Sequence, residues 1–438
     1  MKKPLFFLFA VAWVHAANNS NWTSPLVHVT LPSAITSSQQ GIRGLASPGD
    51  GYAYVGSGAG IYRALWSCIE ANPTNASCWS ALNTGVPHPT SGTTDLYLAG
   101  RDFDYIGGTV FAVFYNAFNG AQDHVCHWSG SAWVPETTTP AVWINPSSNG
   151  GPLYITHDPT TNYIYVGAWG IWVSTNQGAT WSESPSGGTN AYAHLGYNYG
   201  VFYNTPRVRT YNGTPHLFWG GEGSLISQPM NFSSYKSWTP TGNGGCTYPN
   251  CFEHNMRGFE TDGDPGTGGA IIVLINHCTA AGNQSTSCSA TDSYITRSTN
   301  GGTTWVDPAS VTFSGGNTQY WSMRNIAKGS AAHEFYIVGG QNEQYTGILG
   351  SLDGGATWAL VGHPIATNGD YGSQFANIAI NAQDDAKLLT LPGGVGVAPA
   401  MYFHPSPILL GTNHPFRWTG LAGMIALPVA LALIFMRL

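Results

Sequence analysis

The sequence predicts an all-β fold: a ring of seven four-stranded antiparallel blades, shut by its own N-terminal strand. Three observations carry this reading. An octet of nearly fixed type returns three times, seven tryptophans stand at near-constant intervals, and the composition suits strands and tight turns. Only 8% of the 438 residues are charged, against roughly 25% in an ordinary soluble domain. Gly (56), Trp (16) and Tyr (22) are abundant, a mix that favours short strands and turns over helices.

The octet reads STNQGATW at 174–181, STNGGTTW at 298–305 and SLDGGATW at 351–358. Its Ser and Asx side chains can bond backbone groups a few residues on, and its Gly tolerates positive φ. The result is a tight, internally bonded hairpin turn, after which Trp opens the next strand with a large apolar area to bury. Degenerate copies end at CWSAL (78–82), SAWVPE (131–136) and KSWTPT (236–241). In the first of these, Cys78 stands where the octets have Thr180, Thr304 and Thr357. A bridge from Cys68 is expected to replace the turn's hydrogen bonds, contributing about 2–3 kcal/mol for so short a loop.

Counting Trp22, Trp79, Trp133, Trp181, Trp238, Trp305 and Trp358 gives spacings of 57, 54, 48, 57, 67 and 53 residues. That period sets one blade per tryptophan. Trp22 has a strand after it but no blade before it, and the stretch after Trp358 has inner strands but no closing Trp. The N-terminal strand should therefore complete the last blade and remove the sheet edges an open array would expose. The rivals are a six-bladed ring with one irregular insertion, a β-solenoid and a pair of sandwiches.

The two ends read as addresses. Lys2 and Lys3, a short apolar run and VHA before Ala17 make residues 1–16 a secretory signal peptide. The propeller occupies 17–405 and a linker 406–420. Residues 421–438 form a hydrophobic tail, read as a lipid-anchor (GPI) signal or a transmembrane helix. Sequons at Asn18, Asn21, Asn75, Asn212, Asn231 and Asn283 suit a glycosylated surface. Local cysteine pairs, Cys68 with Cys78, Cys246 with Cys251 and Cys278 with Cys288, suit disulfides in an oxidising compartment, leaving Cys126 over. Lys2, Lys3 and Arg437 belong to the ends, so the body holds 12 of the 15 basic residues against 22 acidic ones. Such a balance excludes nucleic acid as a partner.

Propeller ligands sit at the central channel, lined by the innermost strands. Three candidate inner strands align: GIRGLAS (41–47), NMRGFET (255–261) and SMRNIAK (322–328). Each has an arginine at the same place: Arg43, Arg257 and Arg324, three of only ten in the chain. Converging guanidinium groups would take a carboxylate or sulfate, because the planar fork matches either one bidentately. A structural role would instead pair these arginines with Glu260 or Asp370.

The octets resemble the Asp-box, or bacterial neuraminidase repeat, of sialidases, sortilin-type receptors, xyloglucan-active two-propeller hydrolases and a photosystem II assembly propeller. Asn176 and Asn300 replace the usual Asp, and Asn can make the same turn. The resemblance implies a propeller, with the motif on the blade periphery away from the ligand. Likeness to a sialidase would make Arg43, Arg257 and Arg324 the carboxylate holders, Tyr371 the nucleophile and Glu260 its activator, with Asp370 a neighbouring candidate acid. The Phe/Tyr-Arg-Ile-Pro signature is replaced by GIRG, which departs from that family. Likeness to the xyloglucan-active enzymes would call for an acid before YR in the first blade, where VGSGAGIYRA offers Ser57 and Gly58.

Other motifs are weaker. In DHVCH, His124, Cys126 and His127 have ligand chemistry but strand spacing, so neighbours face opposite ways. TDGDPG (261–266) reads as a turn. Neither G-x-S-x-G, P-loop nor dinucleotide fingerprint is present. The expectation is a secreted glycoprotein anchored at the cell surface through its C-terminus, with no cofactor and no metal. Its channel binds a glycan or an extracellular protein without catalysis. The competing readings are a glycoside hydrolase and a structural component of an envelope or wall.

Overall fold

The computed structural model describes residues 26–37, 41–86, 97–116, 124–136, 154–167, 171–183, 206–220, 225–230, 234, 236–238, 255–277, 292–306, 311–312, 321–341, 345–366, 377–383, 387–391 and 400–404. Seven antiparallel sheets follow one another along the chain. Their innermost strands are Ile42–Ala46, Tyr97–Ile106, Tyr154–His157, Arg207–Tyr211, Asn255–Asp262, Trp321–Lys328 and Asn377–Ile380, for blades 1 to 7. Closure is as the sequence predicts. Val27–Val29 forms the outer strand of blade 7, with Val27 opposite Phe403 and Val29 opposite Met401. Trp22 itself lies outside the described residues.

The ring is also legible in its cores. A blade's faces are both buried, so alternate residues of one strand serve opposite neighbours. Val55 packs toward blade 7 and Tyr54 toward blade 2. Ile271 and Val273 pack toward blade 4, Ile272 and Leu274 toward blade 6. Seven apolar clusters result, one at every junction from blade 7–1 round to 6–7. Seven junctions exclude the six-bladed rival. This two-sided burial explains why Ile164–Gly167 and Ile171–Ser174 are buried at every position.

Among the described residues, two blades depart from four strands. Blade 5 has three, its fourth reduced to a bridge between Arg297 and Val306. Blade 6 gains a parallel fifth strand, Val311–Thr312.

The octets form one repeated turn. The Ser Oγ accepts from the backbone N–H of Gly178, Gly302 or Gly355 at 2.8–2.9 Å. The Asx Oδ1 accepts from Thr180, Thr304 or Thr357 N–H at 2.9 Å. Asn therefore replaces Asp without loss, donating its Nδ2–H to the Thr hydroxyl at 2.7–2.8 Å where Asp353 accepts from it. In blade 1 the turn is a short helix, Trp66–Ala71, tied by the Cys68–Cys78 disulfide.

The tryptophans are not all equivalent. Trp79, Trp133 and Trp358 serve the junction with the preceding blade. Trp238 pairs with Leu225 at the start of the third strand and packs toward blade 5 instead. The register in KSWTPT sets it further along its strand than the octets set theirs, and an odd slip exchanges faces.

Candidate functional site

The innermost strands all run the same way, and four of them share an irregularity. In blade 1, Ile42 pairs with Ser57 and Gly44 with Gly56, leaving Arg43 unpaired in a bulge. In blade 5, Met256 pairs with Ile275 and Gly258 with Leu274, leaving Arg257. In blade 6, Met323 pairs with Gly339 and Asn325 with Val338, leaving Arg324. Each of the three predicted arginines is thus the extra residue of a bulge, one per strand, at one register level. Bulges re-aim side chains and recur beside functional sites. Blade 2 has a wider shift, between Leu98 and Asp102, which takes in Arg101. Sequence reasoning missed Arg101, although GRDFDY aligns on its arginine with IRGLA and MRGFET.

The level is tied across junctions. Asp102, next after Arg101, accepts from its own neighbour Phe103 N–H at 3.0 Å and from Ile155 N–H of blade 3 at 3.1 Å. Gly258, next after Arg257, abuts the matching residue of blade 6; a Cβ there would stand 3.0 Å from Ile326 Cγ2 and 3.4 Å from Ile326 N. Both contacts fall one residue past the arginine of their strand.

One step deeper sits a charged cluster. Glu260 has no solvent exposure and takes a two-pronged ion pair from Arg209 of blade 4, with Nε and Nη2 each at 2.7 Å from a carboxylate oxygen. Arg207 approaches the same carboxylate at 3.6 Å and donates through Nη2 to Ile326 O of blade 6 at 2.9 Å. Burial alone would raise Glu260, but the guanidinium groups of Arg209 and Arg207 outweigh it and hold the carboxyl below its usual range. Burial lowers Arg207. Glu260 is thus engaged by blade 4, through arginines absent from the predicted set. The signal was RVR (207–209), two basic residues on one face of an inner strand.

Across the ring, Asp102 is pushed up to about 7 by burial, against its backbone donors and the distant Arg207. Beside it, Asp104 Oδ2 meets His157 Nδ1 at 2.7 Å, and that hydrogen bond raises the imidazole.

A second concavity lies between blades 5 and 6 on the face of the octets. It has a volume of about 480 Å³ and is lined by Asp262, Asp264, Arg297, His333 and Asp353 among others. His333 Nδ1 meets Asp262 at 2.5 Å, and Arg297 Nε donates to Gly354 O at 2.7 Å. Asp264 accepts from Asn212 and Gly213 N–H and caps the 3₁₀ turn Pro265–Thr267, so TDGDPG is a turn, as expected.

Other predicted residues fall as follows. Tyr371, Asp370, Cys246, Cys251, Cys278, Cys288, Asn18, Asn21, Asn231 and Asn283 lie outside the described residues. So do both chain ends, including 1–16 and 406–438. Asn75 accepts from Ser77 N–H at 3.0 Å, and Asn212 sits at an exposed hairpin turn with φ of 50°. The DHVCH residues do not converge. Cys126 is buried as a free thiol in the blade 1–2 core, while His127 pairs with Glu136 and packs on Phe111.

No protein-family model matches the chain, and no curated protein matches it in sequence. Solved structures match it in fold. A GH74 xyloglucanase from Xanthomonas campestris superposes with a TM-score of 0.54 at 14% identity, covering 89% of this chain and 55% of that one. YCF48 from Cyanidioschyzon merolae follows at 0.49 and 12%, covering 87% and 99%. A polysaccharide lyase of family PL25, an ulvan lyase, stands at 0.46 and 11%, covering 89% and 96%. This chain therefore spans about half the length of the xyloglucanase it matches. The likeness shows the propeller fold.

Proposed function

We propose that this protein is a secreted, surface-anchored glycoprotein whose channel mouth binds an acidic glycan without turning it over. The observation that supports the reading most is the shared bulge: Arg43, Arg257 and Arg324 are each the unpaired residue of an innermost strand. Arginine at the equivalent bulge position of three innermost strands suits a carboxylate or sulfate ligand. The signal peptide, sequons and apolar tail supply the secretory part of the proposal. The octets support kinship with Asp-box propellers, since all three make the same bonded turn on the side away from the proposed ligand.

The reading without turnover draws on Glu260. A carboxylate already paired with two guanidinium groups and shut from solvent has no proton to give and no open approach for a substrate. A glycoside hydrolase is the second reading, favoured by the fold shared with a xyloglucanase. Against it, the first-blade hairpin carries Ser57 and Gly58, and Ser57 Oγ is spent on Gly60 O at 3.0 Å.

The test is direct. Full-length protein is assayed for binding to immobilised uronate and sulfated oligosaccharides, beside Arg43→Ala, Arg257→Ala and Arg324→Ala. Each variant should weaken capture about tenfold, the usual worth of a charge-assisted contact. Binding unaffected by all three would end the proposal. Release of product from any fluorogenic glycoside in the same preparations would favour the hydrolase.

A further inference from the structure

Below the bulges the innermost strands carry a charge that their own residues leave unbalanced. Arg209 already engages both oxygens of Glu260 at 2.7 Å, while Arg207 stands off at 3.6 Å. Among the described residues, the cluster sets two guanidinium groups against one carboxylate, and Lys328 of blade 6 adds to the positive field there. Desolvation lowers Arg207 in spite of Glu260. Asp102 of blade 2 also acts on Arg207, but an acid pushed up to about 7 is only half ionised at neutral pH. A half-buried guanidinium without a full counter-charge is a seat for an anion.

The surroundings of Arg207 follow from the register. Each innermost strand sends an apolar residue into the core shared with the preceding blade, from Leu45 in blade 1 to Ile378 in blade 7. In blades 1 to 6 its ladder partner belongs to the same cluster, as Ile326 does with Ile337. The residue just before it is Asp102, Tyr154, Arg207, Asn325 and Asn377 in blades 2, 3, 4, 6 and 7, and glycine in blades 1 and 5. Alternation turns this position away from the preceding core, and all five side chains keep some exposure. Arg207 reaches past blade 5 to donate to Ile326 O of blade 6. Amide and phenol groups beside one surplus guanidinium suit a sugar that carries both hydroxyls and an acid.

We propose that Arg207 holds the carboxylate or sulfate of one acidic sugar unit at this level, and that its binding draws a proton onto Asp102. This rests on the reading of an acidic glycan in the channel. The other charged groups described around the site are Asp104, His157, Arg209, Glu260 and Lys328.

Calorimetry on the full-length protein uses tetragalacturonate, a heparin-derived tetrasaccharide and hexaglutamate, at pH 5.5 and pH 8. Arg207→Met should weaken the sugars about tenfold. Its melting temperature should move by no more than about 2 °C, because the Arg209–Glu260 pair survives. Arg207→Lys should restore part of the affinity. The unsubstituted protein should bind several-fold more tightly at pH 5.5, and Asp102→Asn should remove most of that difference. The sugar preferred distinguishes carboxylate from sulfate. Arg63→Ala is the charge control, since Arg63 stacks on Tyr52 at 4.4 Å; equal loss there would overturn the site as bulk charge. Loss in Arg43→Ala, Arg257→Ala or Arg324→Ala without loss in Arg207→Met would overturn this inference and spare the reading beneath it. A pH difference unchanged in Asp102→Asn would overturn the coupling. Hexaglutamate binding as tightly as the sugars would overturn the glycan, and failure of every probe to bind would end both proposals.

Discussion

Two junctions of the ring solve one problem in opposite ways. Between blades 4 and 5, Arg207 and Arg209 of one inner strand face Glu260 of the next. Between blades 2 and 3, Asp102 and Asp104 face a backbone N–H and a histidine. The first junction is closed by charge against charge. The second leaves a half-buried carboxyl with only amide donors, and desolvation wins there. The difference shows that acids on the innermost strands are held by what the neighbouring strand offers, and it makes the two junctions respond oppositely to pH.

The largest effect should come from breaking the compensated side. Arg209→Ala leaves Glu260 buried with Arg207 at 3.6 Å, and should cost about 3–5 kcal/mol in denaturant melts at pH 7. The triple variant Arg207→Met, Arg209→Met, Glu260→Leu should recover most of that loss, because it removes the whole charge cluster, Arg207 included, and leaves no buried charge unpaired. Failure of the triple variant to recover would mean that the cluster fixes the blade geometry as well as its charge. Glu260 is held below its usual range, so its stabilisation is complete above about pH 4.5 and fades as pH falls through its folded value.

Asp102 should come next. Its folded value of about 7 lies above the unfolded 3.8, so the native state binds more protons between the two. Stability then falls as pH rises from about 4 to 7, by up to roughly 4 kcal/mol. Asp102→Asn should flatten that decline while losing about 1 kcal/mol for one unmatched backbone donor. Melting temperatures at pH 4.5, 6 and 7.5 read both terms. A slope unchanged by the substitution would assign the pH dependence to another group.

The fold was legible because its signals are local and repeated. The octet states a turn chemistry three times, and the Trp interval states the blade. Trp238 shows the limit: composition marks an aromatic at the right interval, but only pairing with Leu225 decides which face it serves. The arginine level was legible as a three-residue rhyme, IRG, MRG and MRN. Arg101 escaped because its strand is displaced by a three-residue irregularity, and Gly100 adopts φ of 64° there. Glu260 was visible as an acid. Its partners were not, since Arg209 is 51 residues away in the chain and the pair exists only once two blades close.

The smallest effect sharpens the comparison within the second junction. The hydrogen bond to Asp104 raises His157 above its ordinary 6.5. Its contribution is therefore complete below pH 6.5 and fades as pH rises through the folded value, in the same direction as Asp102. His157→Gln keeps a donor for Asp104 and removes only the charge. It should cost about 0.5–1 kcal/mol at pH 5.5, as for a partly exposed pair, and close to nothing at pH 8.5. Because Asp102 and His157 sit on facing strands, the two substitutions should not be additive. A coupling absent from the double variant would mean that the two groups titrate independently, each adding its own share to the junction's pH response.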